Sequence, residues 1–238
     1  MAIVHAHNLG NVSLPGSGYP PLGAFSIPYA DRLGGAFFLG YGREVAAVNW
    51  GADTEVSIIG NPNFQNGYAA LDGANYIETG VEETIASTLF LVFRETSDSA
   101  VGAFGNYGGP STIGTSLYVS AGSTVMSVNT GRIGGTGGSA SVTSDTSGWG
   151  IYSASIPATG QARLRNHVTG NVSVAGAATD RELNGAGPLR IGALYSASFP
   201  GASRVFAALQ YRTNLSDEET LVVGIHLRQM AEAAGLTF

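Results

Sequence analysis

The sequence predicts an all-β protein, a two-sheet antiparallel sandwich closed by one C-terminal α-helix. Three observations carry this. Short β-rich segments recur between turn residues from about residue 54 to residue 211. Glycine is abundant, at 35 of 238 residues, beside 9 prolines and no Gly-X-Y period, which suits many tight turns and not collagen. One strong helical pattern stands at the C-terminus, behind a Ser-Asp-Glu-Glu start.

Residues 1–49 read differently from the rest and are expected to form an extended N-terminal arm. They hold Pro20, Pro21 and Pro28, and apolar clusters at Ala36-Phe37-Phe38-Leu39 and Val45-Ala46-Ala47-Val48, with no clean strand or helix period. The arm either packs along the sandwich or serves docking and oligomerisation; both readings stand. Its apolar content calls for cover, because bare apolar surface is costly.

Residues 50–238 are expected to form the sandwich and its helix. Glu55 to Ile59 alternates and breaks at Gly60-Asn61-Pro62. Tyr68 to Leu71 leads into Asp72-Gly73, a hairpin signal, and then Asn75 to Thr79. Thr88 to Arg94 is nearly all apolar and rich in β formers, which predicts a central strand buried on both faces. Ser116–Ser120 and Thr124–Val128 form a hairpin around Gly122, and Gly131–Gly148 reads as a long loop with at most one weak strand. Trp149–Ile156, Ala162–Val168, Leu189–Leu194 and Arg204–Tyr211 supply the remaining strands.

Ser216 and Glu219 form a capping box, and the acidic first turn suits the helix dipole. Val223, Leu227, Met230 and Ala234 make one stripe, while Leu221 and Ile225 fall nearly opposite. A helix apolar on two faces either lies in a groove or meets a neighbouring protomer. Leu221 and Ile225 are therefore the expected oligomer contacts. Gly235 is the expected stop.

Charge narrows the function classes. Only 12% of residues are charged and the net charge is −6, with all 11 basic residues arginine. No basic patch is visible, so phosphate-backbone binding is not expected. Cysteine is absent, which removes disulfides, thiolate zinc sites and a cysteine nucleophile. No apolar run approaches the ~20 residues of a membrane helix. The N-terminus lacks the basic and apolar regions of a signal peptide, so synthesis as a soluble cytosolic product is expected.

Several segments together resemble a known family. Asp72-Gly73-Ala74-Asn75-Tyr76-Ile77-Glu78-Thr79-Gly80 looks like the entry of a laminin-G-like, or concanavalin A-like, jelly roll. Thr88 to Arg94 resembles the central strand that follows it, and Trp149 the tryptophan before a core strand. Arg163-Leu164-Arg165-Asn166 with Gly170-Asn171-Val172 resembles the family's strand–turn–strand, here with an enlarged turn. Leu189-Arg190-Ile191-Gly192, Val205 to Tyr211 and Asn214-Leu215-Ser216-Asp217-Glu218-Glu219 resemble its C-terminal strands and helix start. The likeness spans about residues 54–234 and implies a jelly-roll sandwich. Jelly rolls that lack a signal peptide, cysteine and lysine and carry a Pro/Gly-rich arm are similar to domains of phage virions. That implies a tail fibre, spike or head decoration.

Catalytic chemistry is not readable. The Glu-x-Asp-x-x-Glu strand of glycoside hydrolases on this fold is missing, and Glu78, Glu82, Glu83, Glu95 and Asp98 read as solvated turn or strand-end carboxylates. No Ser-His-Asp set or G-x-S-x-G elbow occurs, and the glycine runs lack a phosphate-loop ending. His5 and His7 share a strand face, as metal ligands would, but read better as a polar tail. His167 reads as a surface residue and His226 as packed on the helix. Asp72, Asp98 and Asp145 form no calcium-ligand string. No metal or cofactor is expected.

Carbohydrate binding needs aromatic faces with polar partners. Asn106 with Tyr107 and Tyr195 with Phe199 are the loop candidates, and Trp149 reads as core. The leading expectation is a non-enzymatic virion structural or adhesion protein. It would self-associate, as a trimer, contact other virion proteins through its arm and bind host-surface polysaccharide. A monomeric carbohydrate-binding module and a divergent polysaccharide hydrolase or lyase are the alternatives.

Overall fold

The computed structural model describes residues 26–134, 136–176 and 179–238. Residues 1–25, with His5, His7, Pro20 and Pro21, lie outside the described residues, and so does the docking role expected of them.

Two antiparallel sheets pack face to face. The eight-stranded sheet runs, in spatial order, β13 (Val172–Val174), β12 (Arg163–Asn166), β11 (Gly150–Ile156), β6 (Ser87–Glu95), β15 (Ser203–Tyr211), β4 (Tyr68–Leu71) and β3 (Asn63–Gln65), with β1 (Leu33–Phe38) also paired to β15. The seven-stranded sheet runs β10 (Thr136–Thr143), β9 (Val125–Arg132), β8 (Thr115–Val119), β7 (Val101–Gly105), β14 (Arg190–Ile191), β5 (Tyr76–Glu78) and β2 (Ser57–Ile59). A short helix, α1, spans Arg43–Ala46, and α2 spans Asp217–Ala233.

Side-chain alternation divides β6 between two cores. Leu89, Leu91 and Phe93 point between the sheets, where Phe104, Leu117, Val128 and Ile191 meet them. Phe90 and Val92 point outward and are covered by Val223, Leu227 and Met230 of α2. Every residue from Ser87 to Phe93 is therefore buried, which is why the run carries almost no polar residues. Each large apolar side chain so buried contributes about 1.5–3 kcal/mol.

The capping box forms as predicted. Ser216 Oγ accepts from the Glu219 amide at 3.2 Å, and the Glu219 carboxylate accepts from the Ser216 amide at 2.8 Å. The other Glu219 oxygen accepts from Arg32 at 2.7 Å. One side chain thus starts the helix and ties the N-terminal region to it. The β8–β9 hairpin also forms, with Gly122 left-handed at φ 65° in its turn.

Part of the expected arm, Leu33–Phe38, packs into the sandwich ahead of residue 50. β1 lies inside the eight-stranded sheet, all six residues are buried, and Ala36 to Phe38 pair with Leu209 to Ala207. A doubly covered strand shows no alternation, so the Gly-rich run did not read as a strand. The following cluster, Val45 to Val48, begins inside the single turn of α1, which holds Val45 and Ala46.

Other expectations shift as well. Asp72-Gly73 is a tight turn, with Asp72 Oδ1 accepting from the Ala74 and Asn75 amides. Its two strands belong to different sheets, so it is a crossing and not a hairpin. The long loop expected at Gly131–Gly148 contains β10, paired with β9 over eight positions. Leu189–Leu194 shortens to the two residues of β14.

Candidate binding face

The outer face of the seven-stranded sheet carries the aromatic side chains of interest. On β5, Ile77 points into the core while Tyr76 and Glu78 point outward. On β14, Ile191 points in and Arg190 out, and Arg190 pairs in register with Glu78 on one side and Gly105 on the other. Tyr118 of β8 is outward between buried Leu117 and Val119.

The segment after β14 folds back over this face. It approaches closely because Gly102 has no side chain: a Cβ there would stand 2.6 Å from Leu194 Cγ. The amides of Tyr195 and Ser196 then donate to the Tyr107 carbonyl at 2.9 and 3.1 Å. Three of the sequence candidates come together as a result. Phe199 packs edge-on against Tyr107, with ring centroids 5.9 Å apart, and against Tyr118 at 5.5 Å.

Tyr195 is the most constrained member. Its ring lies 3.4 Å from the Arg190 guanidinium carbon, and Tyr76 covers the same guanidinium at 4.7 Å. Its hydroxyl donates to Glu78 at 3.0 Å. Burial, reinforced by the Glu78 carboxylate, pushes this phenol up to about 12, so it remains a neutral donor. Arg190 Nη2 stands 3.5 Å from Glu78. The result is a half-exposed stack of tyrosine, guanidinium and tyrosine with a carboxylate beside it. Fixed rings of this kind lose little entropy on binding.

Asn106 does not belong to this face. It is 1% exposed; its Oδ1 accepts from the Thr115 amide at 2.8 Å and its Nδ2 donates to the Gly187 carbonyl at 2.9 Å. Both ends of the amide are used to hold loops together, so it is a positioning residue. Tyr76, Glu78, Tyr118 and Arg190 were not among the sequence candidates. The alternation Tyr76-Ile77-Glu78 was the available signal, since it places those two side chains on one face.

The carboxylates read as solvated divide. Glu82 is exposed. Glu83 instead accepts from the fully buried Arg181 at 2.6 Å and from the Gly185 amide at 2.8 Å. Arg181 also donates to the carbonyls of Gly114 and Gly131 at 3.2 and 2.7 Å. This pin fastens the segment after β13 to the seven-stranded sheet. Glu95 is held by Thr146 at 2.6 Å, and burial raises its carboxyl above the usual range. The charges of Asp98 and Asp145 add to the raising of Glu95, and among the described residues no three His, Asp or Glu side chains gather as metal ligands.

One histidine also differs from expectation. His167 is not a surface residue: its ring stacks on Phe90 at 5.8 Å and its Nε2 meets Ser153 Oγ at 2.8 Å, under α2. Trp149 is half-buried on the outer face of the eight-stranded sheet, 6.2 Å from Tyr68, and not in the core between the sheets. Leu221 and Ile225 are exposed on α2, at 43% and 57%, together with Val222. A polar hollow of about 330 Å³ lies between β12, β13 and the start of α2, lined by Gln161, Arg163, Val174, Asn214 and Asp217.

No family model matches the chain, and no curated protein matches it in sequence. Solved structures do match. The receptor-binding domain of the botulinum neurotoxin C/D mosaic serotype aligns with a TM-score of 0.64 and 12% identity, over 82% of this chain and 51% of that one. The binding domain of botulinum neurotoxin serotype D gives 0.64 and 12%, over 84% and 52%. A receptor-binding domain of botulinum neurotoxin D gives 0.63 and 10%, over 84% and 53%. The chain spans about half the length of the solved structures it matches. At this identity the likeness establishes the fold, a jelly-roll-like β-sandwich.

Proposed function

We propose that the chain is a non-enzymatic binding domain that takes a saccharide on the outer face of its seven-stranded sheet. The observation that carries the reading is the convergence of Tyr107, Tyr195 and Phe199 with Tyr76, Arg190 and Glu78 on one half-exposed face. Sugar rings stack their C–H faces on aromatic rings, and a neighbouring carboxylate and guanidinium serve their hydroxyls. The match to receptor-binding domains of toxins supports a binding role. A glycan array tests it. Binding should weaken at least tenfold in Tyr195→Ala and Tyr76→Ala and stay unchanged in Glu82→Ala. An array silent for the intact protein, or binding indifferent to both tyrosines, overturns it.

The phage virion setting is the finer proposal. It rests on the sequence resemblance and on the exposed Leu221, Val222 and Ile225 of α2, which fit self-association. Light scattering on the intact chain should give an oligomer that Ile225→Asp dissociates. Capsid or tail genes should adjoin the coding sequence. A monomer at micromolar concentration counts against the assembly.

A further inference from the structure

The outer face of the eight-stranded sheet carries a second feature, which does not depend on the reading above. Arg204 and Arg94 are register partners on the adjacent strands β15 and β6. Their neighbours Val205 and Phe93 point between the sheets, so both arginines point outward. Like charges placed directly opposite each other in an antiparallel pair are destabilising. Six other arginines each have a carboxylate within 4.0 Å. Among the described residues, neither Arg94 nor Arg204 does.

The surroundings are shaped for a ligand. Arg204 lies over the Tyr68 ring at 4.6 Å, which fixes the plane of its guanidinium. Arg94 Nε is shielded from solvent and has no hydrogen-bond partner, although an orphan donor is costly. Gly150 pairs with Phe93, so Trp149, one residue earlier, lies beside Arg94. Its ring stands 6.2 Å from Tyr68 and is half-buried. Ala70 faces Arg204 on the other side and leaves space there. Tyr68, Arg94, Trp149 and Arg204 are each only partly buried, so the row keeps some access to solvent.

We propose that Arg94, Arg204, Tyr68 and Trp149 form a second site that takes an acidic saccharide. Its carboxylate sits between the two guanidiniums, and its ring lies against Trp149. Guanidinium–carboxylate pairs are charge-assisted and geometrically selective. The net charge of −6 repels a long polyanion, so the site serves one or two acidic groups and not a charged backbone.

Calorimetry with an oligogalacturonate, its methyl ester, a sulfated neutral oligosaccharide and inorganic sulfate tests this. The intact protein should bind the oligogalacturonate with an affinity that falls as salt rises, and bind the methyl ester at least tenfold more weakly. Arg94→Gln and Arg204→Gln should each weaken binding at least tenfold. Both should keep or raise the Tm of the free protein, because each relieves the like-charge pair. Tyr195→Ala should leave this binding intact, which separates the site from the opposite face. Tighter binding of the sulfated sugar than of the uronate assigns the anion as sulfate and keeps the site. Four results each overturn the proposal: no acidic saccharide bound, ester and acid bound alike, variants that bind like the parent, or inorganic sulfate as tight as the sugars.

Discussion

Gly224 of α2 sits directly on the ring of His167: a Cβ at that position would stand 2.4 Å from His167 Nδ1 and 2.7 Å from its Cγ. The helix and the eight-stranded sheet touch through this pair, with Phe90 stacked beneath the imidazole and Ser153 fixing its far nitrogen. Glycine inside a helix costs about 1 kcal/mol relative to alanine. Here that cost permits the close approach.

Gly224→Ala should therefore destabilise the protein by about 1–3 kcal/mol, the range for overpacking, despite alanine's better helix propensity. Urea unfolding checks this. In a His167→Ser background the same change should be neutral or stabilising, since contacting residues are not additive.

The buried imidazole predicts a pH dependence. Burial, assisted by the nearby Arg165 charge, lowers His167 from its usual value to about 4. Between roughly pH 6.5 and 4 the unfolded chain binds this proton and the folded chain does not. This contribution to stability is complete above the unfolded value and falls with acid, by up to about 1.4 kcal/mol per pH unit. Unfolding free energies measured from pH 7 to pH 4 should show the slope, and His167→Gln should flatten it relative to the parent.

The Glu83–Arg181 pair predicts a large structural effect with no catalytic meaning. Arg181 is fully buried and Glu83 nearly so, with the buried Arg132 close by. Burial lowers Arg181, and the Arg181 charge adds to the lowering of Arg132 by burial. Glu83→Ala strips the neutralising charge from this cluster and should cost about 3–5 kcal/mol. Chemical denaturation measures it. Exposed Glu82→Ala should change stability by less than about 0.5 kcal/mol.

A fragment starting at residue 50 should fail to fold cooperatively. It lacks β1, whose Phe37 and Phe38 are both 0% exposed on opposite faces of the sheet. It also lacks Arg32, the partner of Glu219. Near-UV circular dichroism and the sharpness of the urea transition would reveal the loss. A fragment as cooperative as the full chain would show that β15 tolerates an open edge.

Much of the architecture was legible because its signals are local. The capping box of Ser216 and Glu219 needs only four consecutive residues, and the β6 run announces burial on both faces by its apolar continuity. β1 was not legible, because Gly34 and Gly35 suppress strand propensity and only pairing with β15 stabilises an extended conformation there. The binding face was half legible. Tyr107, Tyr195 and Phe199 could be picked out as loop aromatics, but nothing in the chain order shows that a segment returns across Gly102 to join them.

The sequence by itself determined most of the extended segments, though not β1 or the length of β10, where the helix starts and that the chain would close into a sandwich, because periodicity and capping act over a few residues. Tertiary structure alone decided the roles of individual polar side chains. Asn106 became a loop tie, Glu83 a buried counter-charge and His167 a helix seat, while Arg190 was laid between Tyr76 and Tyr195. The physical reason is that a polar group's role depends on its partners and its burial, and those partners lie from nine to more than a hundred residues away along the chain.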